Sequence, residues 1–597
     1  MDNPKELDVS NVIWDLGCLY AGFSDPKIRE DMDNLKDMAI GIADRYAGRV
    51  AQLSADGLYE AVKEMERLAT GLGRLETFAQ LAFATNVNDP EAGAFLQKMT
   101  EFSSLVSRDV VFFDIEWANV TDEKAGYLLN SGVLQGYRHY LESIRRYRPH
   151  ILSGDEERLL VDISPVGRSS WTKLFDKVLA FKRFGRDGRT QEEVLSDLYS
   201  PEREVRKRAA SEFTQGLKDE NHVITHLFNT VLADKMIEDR LRRYPDWISS
   251  MNLANEIDAQ TVNALVEAVT SRYDLVSRYY KTKRSILGLD TLFDYDRYAP
   301  AAALPQETIR WSGCKDMVLG AFGRFSNKME GIAGHFFDEG WIHAPVMPGK
   351  IGGAFAHPAI PEAHPYVLVN YSGNLRDVET VAHELGHGVH QVLAGQLGLF
   401  NSRTPLILAE TASVFSEMLV FKDMMKGLSS PAERLGLACA KVESIFATVF
   451  RQIAMNRFED EIHNGRRKMG EISPEDFSAL WLKTQRDMFQ DSIVLTDDYG
   501  IWWSYIGHFL HAPGYVYAYA FGELLVLSLY SLYESGYPGF VDLYLGLLAS
   551  GGSKSPYELL EPFNVDLRDA AFWRKGLDVI EGMIDEVLAL HEISAIR

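Results

Sequence analysis

The segment VAHELGHGVH, Val381 to His390, sets two histidines four residues apart with a glutamate directly after the first. On an α-helix, residues i and i+4 lie one above the other. His383 and His387 can therefore offer imidazole nitrogens to one ion while Glu384 sits about 100° round the cylinder. The rival reading is a pair of satisfied core histidines. With 15 histidines in 597 residues, the five-residue pattern arises by chance in only roughly a few per cent of such chains. Val381, Ala382, Leu385 and Val389 give the segment an apolar lining, which predicts a buried helix.

His-Glu-x-x-His is the zincin arrangement. Zinc takes three protein ligands and keeps a fourth position for water, whose pKa it lowers to about 7, and the adjacent glutamate then accepts that proton. A third ligand must lie downstream. The histidine of the metzincin pattern would fall ten residues after His383, where this chain has Leu393, so a glutamate is needed. LILAETASVFSEMLV supplies Glu410 among Leu406, Ile407, Leu408, Ala409 and Ala412, where an unpaired carboxylate would be costly to bury. Glu417 lies two turns further along the same face. It suits holding a ligand imidazole by its second nitrogen, or is an ordinary helix-face glutamate. His390 shares the face of His383, but a fourth protein ligand would close the site, so it is read as packing or support. His357 and His364 sit in a glycine-proline loop, where solvent exposure is the default and substrate contact the lesser reading.

The remaining chain bounds the fold. Residues 27–197 run in long helical patterns such as LYEAVKEMERLATGLGRLETFAQLAFA, broken by the turn signals NVNDPE, SGDEE and GRDGRT. A second helical series begins near Pro201, with a soft boundary over Thr190–Ser200. Glycine and proline then cluster in PVMPGKIGGAFAHPAIPEAHP. YVLVNY, Tyr366–Tyr371, is the one convincing strand, and it could offer an edge to an extended peptide.

A net charge of −23 argues against nucleic acid or an anionic membrane as the main partner. No apolar run has membrane-spanning length. The acidic start lacks the basic and apolar regions of a secretory signal, and the three scattered cysteines read as reduced core residues. A cytoplasmic location is expected.

HELGHGVH followed by AETASVFSE, with GKIGGAFAHP and YVLVNYSGNLRDVETVAHELGH ahead of it, resembles the oligoendopeptidase F family, relatives of thimet oligopeptidase and neurolysin. The opening WDLGCLY and the late segment HFLHAPGYVYAYAFGELL extend the likeness over most of the chain. The resemblance implies a mainly α, zincin-type helical ellipsoid with a deep substrate channel and one small β-sheet beside the HExxH helix. On that pattern residues 1–195 form an N-terminal helical domain walling the channel, and 196–597 form the catalytic domain. It further implies one Zn2+ per chain on His383, His387 and Glu410, with Glu384 as general base, and internal cleavage of short unstructured peptides.

The late segment also brings donors for a developing oxyanion. Either His508 or His511 could serve, with His508 favoured. Tyr515 and Tyr519, which share a face if the segment is helical, are favoured over Tyr517. Pro513 and Gly514 could let the segment hinge. Two other readings stay open: a dipeptidyl carboxypeptidase of the same architecture, for which the sequence reveals no anchor for a free C-terminus, and a non-catalytic helical peptide-binding protein.

Overall fold

The computed structural model describes residues 7–302 and 308–595. The chain is mostly helical, with a single three-stranded sheet among the described residues. It divides into two compact units. One comprises residues 1–148, 305–424 and 533–565, the other 149–304, 425–532 and 566–597. These units cross the sequence division at 195/196, because each is assembled from three separate stretches of chain.

In the first unit, helices Pro26–Tyr46, Ala55–Thr85 and Pro90–Val110 pack together. Each begins at a side-chain cap: Asp25 and Asp89 precede prolines that fit the first turn, and Ser54 accepts the Gly57 N–H. The NVNDPE signal thus marks a helix start. Leu35, Leu72, Phe78 and Phe95 fill the core between these helices, and Tyr366 and Leu368 of the sheet join it.

The sheet consists of β1 (Ile342–Pro345), β2 (Phe355–His357) and β3 (Tyr366–Tyr371), in the order β1-β3-β2. β1 runs parallel to β3 and β2 antiparallel. YVLVNY is therefore a strand but not an edge. Both its sides are paired, so the expectation that it receives a peptide is corrected. β1 is covered in turn, since the Ala344 N–H donates to the Val12 carbonyl. That leaves the outer side of β2. Lys350, from the glycine-rich loop, donates to the carbonyls of His343, Pro345 and Val369 and so ties β1 to β3.

After β3, Gly373 turns the chain at φ 88°, and Asn374 caps helix Leu375–Gly395 by a reciprocal box with Asp377. Gly386 lets this helix approach helix Leu406–Gly427 closely. A β-carbon there would stand 2.6 Å from the Ala412 carbonyl oxygen and from Ser416 Oγ. The close approach brings Glu410 within reach of the histidines.

The second unit is built around helices Arg203–Leu241, Phe450–Met469 and Pro474–Phe489. Its core holds Phe213, Phe228, Phe458, Trp481 and Trp503. GRDGRT forms a tight turn here, with Phe184 paired to Arg189 and Gly185 and Gly188 at positive φ.

Candidate metal centre

His383 and His387 project one turn apart from the buried HELGH helix, with ring centroids 5.0 Å apart. Glu410 Oε2 lies 3.3 Å from His383 Nε2 and 3.4 Å from His387 Nε2. The three ligand atoms all fall within 4.8 Å of one another. Charge-assisted N–H···O bonds are shorter, roughly 2.7–2.9 Å. A tetrahedral ion with bonds of about 2.0–2.2 Å, by contrast, spaces its ligand atoms by about 3.3–3.6 Å. The group is thus dimensioned for one small cation.

The surrounding groups orient these side chains. Glu417 Oε2 lies 3.2 Å from His383 Nδ1 and is placed to accept its proton, with Nε2 on the other side of the ring turned toward Glu410. Ser413 Oγ donates to Glu410 Oε2 at 2.7 Å. Burial works against a charge on His383, yet its bonds to Glu410 and Glu417 push its pKa up to about 10. Burial raises the Glu410 carboxyl, but the two imidazoles overcome it and hold it well below the usual carboxylate range. A half-buried Glu410 held ionised between two imidazoles makes a field that favours a cation.

Glu384 stands beside this group and only 7% exposed. Burial raises its pKa, and the neighbouring imidazoles pull the other way. A carboxylate with a raised proton affinity suits a base that must take and return a proton. His390 is buried, its pKa pushed down to about 4 by burial, with Nε2 3.3 Å from Thr404 Oγ1. It packs and does not join the three. His357 is not a solvent histidine, because its Nδ1 accepts the Ala359 N–H and its Nε2 meets Gln80 Oε1 at 3.1 Å.

In the second unit, His508, Tyr515 and Tyr519 form one cluster. His508 Nε2 is 3.1 Å from the Tyr519 hydroxyl, and the tyrosine rings meet edge to face at 4.9 Å. His511 does not join them; it turns to Asp176, with Nε2 2.8 Å from Oδ1. Tyr517 is fully buried and receives a hydrogen bond from Asn255. Gly514, at φ 83°, donates its N–H to the buried Glu459. Sequence reasoning missed Glu459 and Ser413. Ser413 was open to inspection, one turn beyond Glu410; Glu459 meets Gly514 only through the fold.

Comparison with known proteins adds to this geometry. Residues 325–579 match the model of Peptidase family M3, and residues 116–184 that of Oligopeptidase F. Oligopeptidase PepF of Bacillus subtilis is 27% identical over 584 residues, spanning 94% of this chain and 85% of its own. An oligoendopeptidase F homolog of Borreliella burgdorferi is 23% identical over 99% of this chain and all of its own. The crystal structure of oligoendopeptidase-F from Enterococcus faecium superposes with a TM-score of 0.71 at 20% identity, covering 94% of this chain and 98% of that one. Two separate stretches match the two family models, and the relatives are aligned nearly end to end. This chain belongs to the oligoendopeptidase F family within peptidase family M3, and it is a metalloendopeptidase.

Proposed function

We propose that the metal is zinc, one ion per chain on His383, His387 and Glu410, and that the substrates are short unstructured peptides cut at internal bonds. The observation that carries this reading is the 3.3 and 3.4 Å spacing of the three ligand atoms, with one imidazole already fixed by Glu417. When bound, zinc makes a water acidic enough to ionise near neutral pH and polarises the carbonyl under attack. Glu384 takes the water's proton and passes it to the leaving amine. His508, with Tyr515 or Tyr519, donates hydrogen bonds to the carbonyl oxygen as its charge develops, a role supported by donor chemistry and by the family likeness. His511 is the weaker candidate, since Asp176 engages it. No covalent acyl-enzyme forms.

The proposal includes a channel walled by residues 1–195 over a catalytic part at 196–597, on the strength of the family likeness. It also includes a cytoplasmic setting, supported by three free thiols, of which Cys314 and Cys439 are buried. No helix among the described residues is long and apolar enough to cross a membrane.

One observation favours dipeptidyl carboxypeptidase action as a second reading. Arg403, exposed and without an ion-pair partner among the described residues, lines a cleft of about 720 Å³ that also contains His387. It could hold a terminal carboxylate. Mass spectrometry of products from a mixed peptide library, with and without chelator, tests both. Internal cleavage abolished by chelator is expected, whereas steady release of C-terminal dipeptides would favour the second reading. Cleavage unaffected by chelator would overturn both.

A further inference from the structure

The segment that carries His508, Tyr515 and Tyr519 is held at two points by adjacent residues of helix Phe450–Met469. The Phe458 ring packs against Phe509, the neighbour of His508, with centroids 5.3 Å apart. Glu459 Oε1 accepts the N–H of Gly514, the neighbour of Tyr515, at 2.8 Å. Both contacts are sealed from solvent: Phe458 and Glu459 are 0% exposed and Phe509 1%.

Between these points the chain makes a tight turn, closed by the Tyr515 N–H donating to the Ala512 carbonyl at 3.0 Å. Gly514 takes φ 83° there, which a β-carbon disfavours. Ile248, Met251 and Trp247 stand 3.4 Å from where that β-carbon would lie, so the turn rests on a packed floor. The turn sets the geometry of the cluster. The rings of His508 and Tyr515 are nearly parallel, 12° apart with centroids at 6.4 Å, and His508 meets Tyr519 edge to face at 5.7 Å. His508 precedes the turn and both tyrosines follow it, so a shift at Gly514 moves the tyrosines relative to the imidazole.

Packing alone does not account for a carboxyl group at position 459. Its Oε2 is buried without a hydrogen-bond partner among the described residues. Sealing a carboxyl from water is costly, and one backbone N–H does not offset that cost. An apolar side chain of the same size would pack there more favourably, so the carboxyl is explained by what its one hydrogen bond holds.

We propose that Glu459 is a positioning residue for peptide hydrolysis: by fixing the Gly514 N–H it keeps Tyr515 and Tyr519 in register with His508. Buried beneath the turn, it touches no substrate itself. The inference rests on the reading of His508 and these tyrosines as donors to the developing oxyanion. Such donors act only where the charge develops, so displacing them slows the chemical step more than it weakens substrate binding.

The test is steady-state kinetics on full-length, metal-loaded protein, with Glu459→Met and Glu459→Gln beside His508→Ala and the pair Tyr515→Phe/Tyr519→Phe. Methionine fills the space without a strong acceptor, whereas glutamine keeps an oxygen for the Gly514 N–H. Glu459→Met should lower kcat by roughly 10–100-fold with KM within about threefold of wild type. Glu459→Gln should keep kcat within about threefold of wild type. Added to the tyrosine pair, Glu459→Met should slow the reaction little further, since both act through one cluster. Hydrogen exchange read by mass spectrometry should quicken over residues 508–519 in Glu459→Met and match wild type in Glu459→Gln. Should Glu459→Met not fold, Glu459→Ala takes its place. Slow His508 or tyrosine variants beside an unimpaired Glu459→Met would overturn this proposal alone. Wild-type kcat in both the His508 and the tyrosine variants would remove the donor reading, and this proposal with it. A Glu459→Gln protein as slow as Glu459→Met, or fully multiplicative losses in the combined variant, would also overturn it.

Discussion

Glu384 is the residue on which chemistry and metal binding separate. It adjoins His383 in sequence, yet it is not among the three grouped ligand atoms. Glu384→Gln should therefore keep both fold and metal while peptide hydrolysis falls by roughly 10²–10⁴, the usual range for acid–base assistance. The check is steady-state kinetics beside a metal assay on the same preparation, and retention of more than about a tenth of the activity would remove the base assignment. At this scale the sequence was most legible where helical spacing does the work. His383, His387 and the Glu410–Glu417 pair follow from i+4 and i+7 repeats, and the structure brings the first three together. The sequence did not reveal Glu459, because its partner Gly514 comes from a distant segment and no local repeat links them.

At the scale of elements, two helices approach through Gly386, and the price of any side chain there is steric. Gly386→Ala puts a methyl 2.6 Å from a backbone carbonyl on the Glu410 helix, so the helices must part. A stability loss of roughly 1–3 kcal/mol is expected from denaturant unfolding, together with weaker metal binding as Glu410 retreats. An unchanged midpoint and metal affinity would show that the contact is not tight.

The Gly514 turn offers a pH test. Glu459 is fully buried beneath it, and burial pushes its pKa up to about 8, against the lowering effect of the Gly514 N–H. Its folded pKa thus lies above its ordinary value of 4.5. The corresponding stability is fully present below that ordinary value and is lost as pH rises through about 8. Wild type should therefore lose stability relative to Glu459→Gln between about pH 5 and pH 9. Parallel stability curves across that window would contradict it.

The sheet shows where element reading stopped. The β-branched run of YVLVNY made β3 visible, but its partners are four and three residues long and lie around a glycine-proline loop. Such short segments carry too little alternation to be found, so the sequence alone presents the middle strand as an edge.

For the whole molecule, helical class and family membership were legible because several motifs recur in order along the chain. The three-segment composition of each compact unit was not, since a composition shift marks a linker and not the return of the chain to an earlier unit. The proposed substrate range can be tested at this scale. An unstructured peptide should be cut at least tenfold faster than the same sequence held in an exposed loop of a stable domain, because an extended main chain must be available for recognition. Comparable rates would count against an enclosed active site.

The central claim is that His383, His387 and Glu410 hold one zinc ion, steadied by Glu417. Zinc content after exhaustive dialysis tests it most directly. Wild type should retain one zinc per chain, and Glu410→Ala should retain none. Glu417→Ala should bind about 10–100-fold more weakly, as expected for a partner that only orients a ligand. Wild type without stoichiometric zinc would contradict the account, as would a Glu410→Ala protein that keeps its zinc while Glu417→Ala loses it.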